Sequence, residues 1–240
     1  MRRILSLLAV TMIAIASFSQ KTISDPNVQR RSVSGFHGVS TSGSIDLLLT
    51  QGQEESVAVS ASDPKLVEQI ITEVKDGILH IYLKKREGSW KDWNWESKKI
   101  RAYVSIKRID YLSTSGSGKI NIEGKLNADN LKITLSGSGN VKGDVAVKDL
   151  TVGISGSADV SLSGTSEKSS FSISGSGNIS SYDLATDYCN VSTSGSGTVK
   201  VTVNKELSAN TSGSGNIYIK GDGMLRDYRS SGSGKFKRIS

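Results

Sequence analysis

The sequence predicts an all-β fold: a parallel β-helix, or solenoid, of about 19 residues per coil. A mostly β capping region with one short helix precedes it. Three observations predict this. The tetrapeptide Ser-Gly-Ser-Gly recurs at near-even intervals through the second half of the chain. Two positions flanking it are apolar in every copy. The composition has 25 glycines but only 6% aromatic residues in 240, so a core must come from Val, Ile and Leu, which favour strands.

The motif begins at Ser115, Ser136, Ser155, Ser174, Ser194, Ser212 and Ser231, at intervals of 21, 19, 19, 20, 18 and 19 residues. A fixed period in this range signals stacked coils. Three residues before each motif stand Leu112, Ile133, Val152, Phe171, Val191, Ala209 and Tyr228. Five residues after each motif serine stand Ile120, Val141, Val160, Ile179, Val199, Ile217 and Phe236. The two columns are eight residues apart, so an extended chain points both to one face. The residue just before each motif, from Thr114 to Ser230, shares that inward parity, as do both glycines of the motif. Both serines face the other way. The glycines are expected to sit where a neighbouring wall leaves no room for a side chain, or where the chain bends. Ala158 replaces the second glycine of the third copy, so that position has no absolute need for a positive φ. A Gly/Ser linker has no reason to keep this phase.

Parity slips once per coil, at Asn127–Asn130, Lys148-Asp149, Thr165–Lys168, Thr186-Asp187 and Asn204–Glu206, which are polar turn residues suited to a corner. The residue after each motif forms an outward column of Asn140, Asp159, Asn178, Thr198 and Asn216, expected as a hydrogen-bonding ladder on the surface and a candidate ligand contact. Cys189 falls in register with Leu131, Leu150 and Leu207, which marks a buried small hydrophobe and not a nucleophile.

Ahead of the repeats the chain reads differently. Arg2 and Arg3, the apolar run Ile4–Ile15 and the small residues to Ser19 make residues 1–19 a secretory signal peptide, with cleavage before Gln20. The run is short for a membrane span. Cleavage leaves 28 basic and 23 acidic residues, a net charge of +5 spread along the chain, which disfavours a nucleic-acid partner. Residues 20–29 read as a flexible mature N-terminus, 30–112 as the capping region and 113–240 as the solenoid, continuous with the cap. In the cap, Phe36–Gly52 and Ser56–Ser62 read as strands joined by a turn at Gln51-Gly52. "DPKLVEQIITEV" reads as an amphipathic helix capped by Asp63, with Leu66, Val67, Ile70, Ile71 and Val74 on one stripe. Asp76-Gly77 turns into a strand at Ile78–Leu83. Such a region covers one end of a solenoid, whose bare edges would invite aggregation.

Within the cap, Arg86–Lys99 gathers all three tryptophans, Trp90, Trp93 and Trp95, beside Lys91. The ring cluster fits a loop folded on the core or an exposed platform for sugar rings or a protein. Catalytic patterns are missing. His37 and His80 lack metal-ligand spacing, no cofactor motif is present, and each Gly-Ser-Gly belongs to a repeat. A polysaccharide-active site would need clustered acids, for which Asp183, Asp187 and Asp159, with Tyr182 and Lys168, are the available set.

"FHGVSTSGSIDLLLTQG", "VAVSA", "LVEQIITEVKDGILHIYL" and the reiterated "SGSGNI/V" together resemble the "putative auto-transporter adhesin, head GIN domain" family of exported Bacteroidetes-type proteins, over about residues 30 to 238. The resemblance implies a right-handed parallel β-helix and an adhesin role, and supplies no catalytic residues. The expected function is therefore a non-catalytic envelope binding protein, in the periplasm, on the outer membrane or outside the cell. It would recognise an envelope or host glycan or a protein surface, with no cofactor or metal and no membrane span after signal cleavage. The second reading is a structural or regulatory envelope protein that binds a protein partner at a solenoid end. A degenerate carbohydrate-active enzyme is the third reading.

Overall fold

The computed structural model describes residues 25, 27–84 and 99–239. The predicted signal peptide and the tryptophan-rich segment lie outside these residues.

The repeats form a β-solenoid. Long strands β9 (Lys119–Gly137), β10 (Asn140–Gly156), β11 (Asp159–Gly175), β12 (Asn178–Gly195) and β13 (Thr198–Gly213) each make most of one coil. They stack parallel and in register, so that Val152 lies beside both Ile133 and Phe171, and Val160 beside Val141 and Ile179. The apolar columns expected from the sequence are the core: Leu112, Ile133, Val152, Phe171, Ile120, Val141, Ile179 and Val199 are all buried. Each buried side chain of this size contributes about 1.5–3 kcal/mol of apolar transfer. The same column repeated coil on coil makes the core continuous, with Phe171 its largest fully buried member.

The two glycines of the motif differ. The first has a positive φ in every coil, for example +111° at Gly137, +122° at Gly156 and +120° at Gly175. A Cβ on Gly175 would stand 2.5 Å from the carbonyl oxygen of Gly156 one coil below. This position therefore needs glycine twice over, for its dihedral and for the close approach of stacked backbones. It is only half-buried, not fully inward. The second glycine points into the core, has no positive φ, and is the one replaced by Ala158, which is fully buried. Exposed pairs of neighbours mark the slip of parity at Asp129-Asn130, Lys148-Asp149 and Glu167-Lys168, and half-buried Asp187 with exposed Tyr188 does so in the next coil. A further irregular point follows several of the motifs by about nine residues. Gly124, Gly164 and Gly221 have positive φ there, and the register shifts between Val160/Gly164 and Ser181/Ala185.

The early copy at Ser42 belongs to the stack. Strands β2 (Gly38–Gly43) and β3 (Ile45–Gln51) form the base coil, with Ser42 and Gly43 beside Ser115 and Gly116 of β8 (Tyr111–Gly116), and β3 beside β9. Below it, β6 (Ile78–Leu83) pairs parallel with β2, and β7 (Ile100–Ile106) parallel with β3. The pairing then changes sense: β5 (Ile70–Lys75) runs antiparallel to β6, and β4 (Ser56–Ala61) antiparallel to β7 and to β1 (Gln29–Arg31).

The predicted helix is confined to α1 (Pro64–Val67), with Asp63 accepting from the Lys65 N–H as its cap. Ile70–Lys75 is a strand instead. Ile70, Ile71, Thr72 and Val74 are β-branched, and the Asp76-Gly77 turn, both residues at positive φ, ties them to Ile78–Leu83 as a hairpin. Local pattern gave way to that pairing. The last coil also departs from expectation. Strands β14 (Asn216–Lys220), β15 (Met224–Gly232) and β16 (Phe236–Arg238) continue the register, but Ser230 is exposed, and Tyr228 and Phe236 are half-buried, packed ring to ring at 5.3 Å. No described coil covers them.

Asp25 ties the segment before β1 to the cap. Its carboxylate accepts from Tyr103 Oη, from Arg101 at 2.7 and 2.8 Å, and from Ser60 Oγ. The Tyr103 hydroxyl, with Arg101 and Ser60, holds its pKa below the ordinary value despite burial. A depressed carboxylate stabilises the fold above its unfolded pKa of about 3.9 and loses that contribution as pH falls through the lower folded value. Thermal melts between pH 2 and 6 are expected to show a shallower acid loss for Asp25→Asn than for the parent. A second prediction separates two glycines. Gly175→Ala should destabilise by at least about 2 kcal/mol. Gly153→Ala, where a Cβ meets nothing within 4 Å and φ is not positive, should be neutral or stabilising by up to about 1 kcal/mol. Urea unfolding of the two variants checks the opposite signs.

Candidate functional site

The column after each motif is brought together as the parity of the strands requires. Asn140, Asp159, Asn178, Thr198 and Asn216 are consecutive cross-strand neighbours on the outer face. Asn178 Nδ2 donates to Asp159 Oδ1 at 2.9 Å, and Asn216 Oδ1 accepts from the Lys235 N–H at 3.2 Å. One coil-step earlier, Asp46 Oδ1 accepts from the Lys119 N–H at 3.0 Å. The side chains thus bond along the stack, while their remaining donors and acceptors face water.

Sequence reasoning missed the column beside it. Two residues further along each strand, again outward, stand Lys142, Ser161, Ser180 and Lys200, with Lys142 in register with Ser161 and Ser180 with Lys200. The two columns together line a shallow groove crossing the coils. Small serines between long lysines leave its floor low. The signal was present in the period-2 alternation but was masked by the chemical variety of the column. Next to it, coil β12 carries extra residues between Ser181 and Ala185, which extrude Tyr182. The Lys220 ammonium lies 4.8 Å from the Tyr182 ring centroid, and Thr202 Oγ1 donates to the Tyr182 carbonyl at 2.7 Å.

A second groove follows the corner where parity slips. Its floor is a small-residue column, Asn127, Ala146, Thr165 and Ala185. Its rim is a charge ladder in which Lys148 pairs with Asp129 at 2.7 Å and Lys205 with Asp187 at 2.7 Å. The hydrogen bond from Lys205 holds the Asp187 carboxyl below its usual range, and each lysine is held above its own by its partner, with Glu167 adding to both. These charges neutralise one another along the stack.

The acids considered for polysaccharide cleavage are not gathered. Asp159 lines the first groove and is bonded by Asn178, Asp187 lines the second and is paired with Lys205, and Asp183 lines neither. His37 Nδ1 bonds Asp110 at 2.7 Å, which ties the cap to the first full coil. Among the described residues no three His, Cys, Asp or Glu side chains cluster as metal ligands. Trp90, Trp93, Trp95 and Lys91 lie outside the described residues.

A family model described as "Putative auto-transporter adhesin, head GIN domain" matches residues 35–223. No curated protein matches the chain. Among solved structures, a "putative adhesin" from Bacteroides fragilis is 22% identical with a TM-score of 0.77, covering 88% of this chain and 96% of that one. A "Putative lipid binding protein" from Parabacteroides distasonis is 24% identical with a TM-score of 0.71, covering 90% and 98%. A "putative adhesin" from Parabacteroides merdae is 20% identical with a TM-score of 0.65, covering 89% and 95%. These structures share the fold.

Cys189 sits in the core column between Ser169 and Leu207 and is 2% exposed. Burial pushes its thiol pKa well up. A thiol reagent such as dithionitrobenzoate should leave the native protein unmodified and titrate one equivalent only on unfolding. Rapid native labelling would contradict the buried column.

Proposed function

Because the chain belongs to the "putative auto-transporter adhesin, head GIN domain" family, we propose that it is an exported, non-enzymatic binding protein of the cell envelope whose ladder face recognises a glycan. One observation carries the reading. Five polar side chains, Asn140, Asp159, Asn178, Thr198 and Asn216, stand in register on a rigid parallel sheet, about 4.8 Å apart. A polymer that repeats its hydroxyls along an extended axis meets a short polar side chain at each step. Sites on sheets hold such sets without ordering a loop on binding. The charged, apolar-sequence start of the chain supports export, and no described helix is long and apolar enough to cross a membrane. The printed names of the structural relatives, adhesins and a lipid binding protein, are all names of binding proteins.

The tryptophan segment supplies the competing location. Trp90, Trp93 and Trp95 with Lys91 would offer stacking surfaces for sugar rings. The two locations separate by experiment. The mature chain, residues 20–240, is titrated against a glycan panel by calorimetry, together with alanine variants of Asn140, Asn178 and Thr198, singly and combined. Each lost hydrogen bond is worth about 0.5–1.5 kcal/mol, so affinity should fall roughly two- to tenfold per coil and the losses should accumulate. Trp93→Ala should leave affinity unchanged. Loss from Trp93→Ala alone would move the site to the loop. Turnover of a bound glycan would remove the non-enzymatic reading.

A further inference from the structure

We infer that the C-terminal half of the ladder face is selective for an acidic polysaccharide, its carboxylates taken by Lys200 and Lys237 and a sugar ring by Tyr218. This rests on the reading of the ladder face as a glycan site and names the class of glycan.

The lysines of the solenoid fall into two groups. Three at the corners and bends are paired: Lys148 with Asp129, Lys205 with Asp187, and Lys125 with Asp144 at 3.3 Å. On the ladder face they are not. Among the described residues, Lys200, Lys235 and Lys237 have no carboxylate partner. From β12 to the last coil, the two groove columns carry Lys200, Lys235 and Lys237 and no acid. Unpaired cations along one face, in line with the groove that Lys200 lines, attract a ligand of opposite charge.

Their spacing says what shape of anion fits. Lys200, Tyr218 and Lys237 are consecutive members of one column, so the two lysine backbone positions are two coil-steps apart, about 10 Å, with an aromatic residue between them. Tyr218 is half-buried, which holds its ring while leaving part of it open. Tyr182 lies beside the same column with Lys220 over its ring, adding a further cation. Thr198 and Asn216, in the adjacent column, offer neutral hydrogen bonds to hydroxyls. Alternating cation, ring and cation on a straight line suits a linear chain of uronate sugars. The charges bind the carboxylates and the ring stacks on a pyranose face. A compact anion would use one step of this array, and a flexible acidic peptide has no ring faces for Tyr218.

The test uses the mature chain, with a hexamer of galacturonate as acidic probe, maltohexaose as neutral probe and oligoglutamate as acidic peptide, by calorimetry at low and high salt. The galacturonate hexamer should bind tightest and weaken with salt, because exposed charges are screened beyond a Debye length of about 8–10 Å. The double variant Lys200→Glu/Lys237→Glu should weaken it roughly tenfold or more. Lys200→Arg/Lys237→Arg should hold affinity, and Tyr218→Ala should lower it roughly fivefold. Circular dichroism and melting of each variant confirm that the solenoid is intact. Equal binding of the neutral and acidic hexamers, or no effect of the charge reversal, overturns this inference and leaves the ladder reading standing. Oligoglutamate binding as tightly as galacturonate overturns the assignment to sugar. Binding of no sugar by the parent chain overturns both.

Discussion

The approach of one backbone to the next at the first glycine of each motif is the constraint on which the rest of the structure depends. Parallel strands in register already fix the distance between coils. At this place the chain turns with a positive φ, and the carbonyl of the coil below fills the space a side chain would need. Once glycine stands there in every coil, each coil turns at the same point and the strands on either side begin in the same phase. The apolar columns, the outward ladders and the corner charges then inherit that phase. A slip of one residue would turn the core of that coil to water.

Much of this was legible in the sequence. Parity of the columns three residues before and five residues after each motif placed the core correctly from Leu112 to Ile217, and the same parity put Cys189 inside and the Asn140–Asn216 ladder outside. What was misread has physical causes. Ile70–Lys75 has a helical stripe, yet its β-branched residues and the Asp76-Gly77 turn favour a hairpin, whose partner strand the local stripe does not reveal. The two glycines of the motif look alike in sequence. Only the stacked neighbour shows that the first is fixed by dihedral and contact and the second by inward crowding. Ser230 follows the inward parity, but burial needs a next coil as well as a phase. The column beside the ladder carries lysine, serine and tyrosine at one position, so repetition alone did not mark it as a site.

Electrostatics divide the molecule by face. At the corner, neighbouring coils carry opposite charges that pair, Asp129 with Lys148 and Asp187 with Lys205, which reduces the field beyond the surface. On the ladder face from β12 onward, neutral Asn, Thr, Ser and Tyr separate lysines that stay unpaired among the described residues. The same architecture therefore presents one wall that is closed upon itself and another that is open to a charged ligand. No buried acid–base machinery accompanies either wall in the described residues, and the groups that titrate there are held by partners, not by burial in a cleft.

The base coil has a further consequence. Its strands, Gly38–Gly43 and Ile45–Gln51, are separated from the first coil that stacks on them by the strands of the cap, yet they already contain the turn at Gly43 with the phase every later coil repeats. A chain made from its N-terminus releases this base, and the antiparallel strands that close its far side, before any repeat emerges. Every later coil finds a finished edge of matching phase waiting, and adds to it in the order of synthesis. The antiparallel strands hold the far side of the base, so the coils continue from its other side.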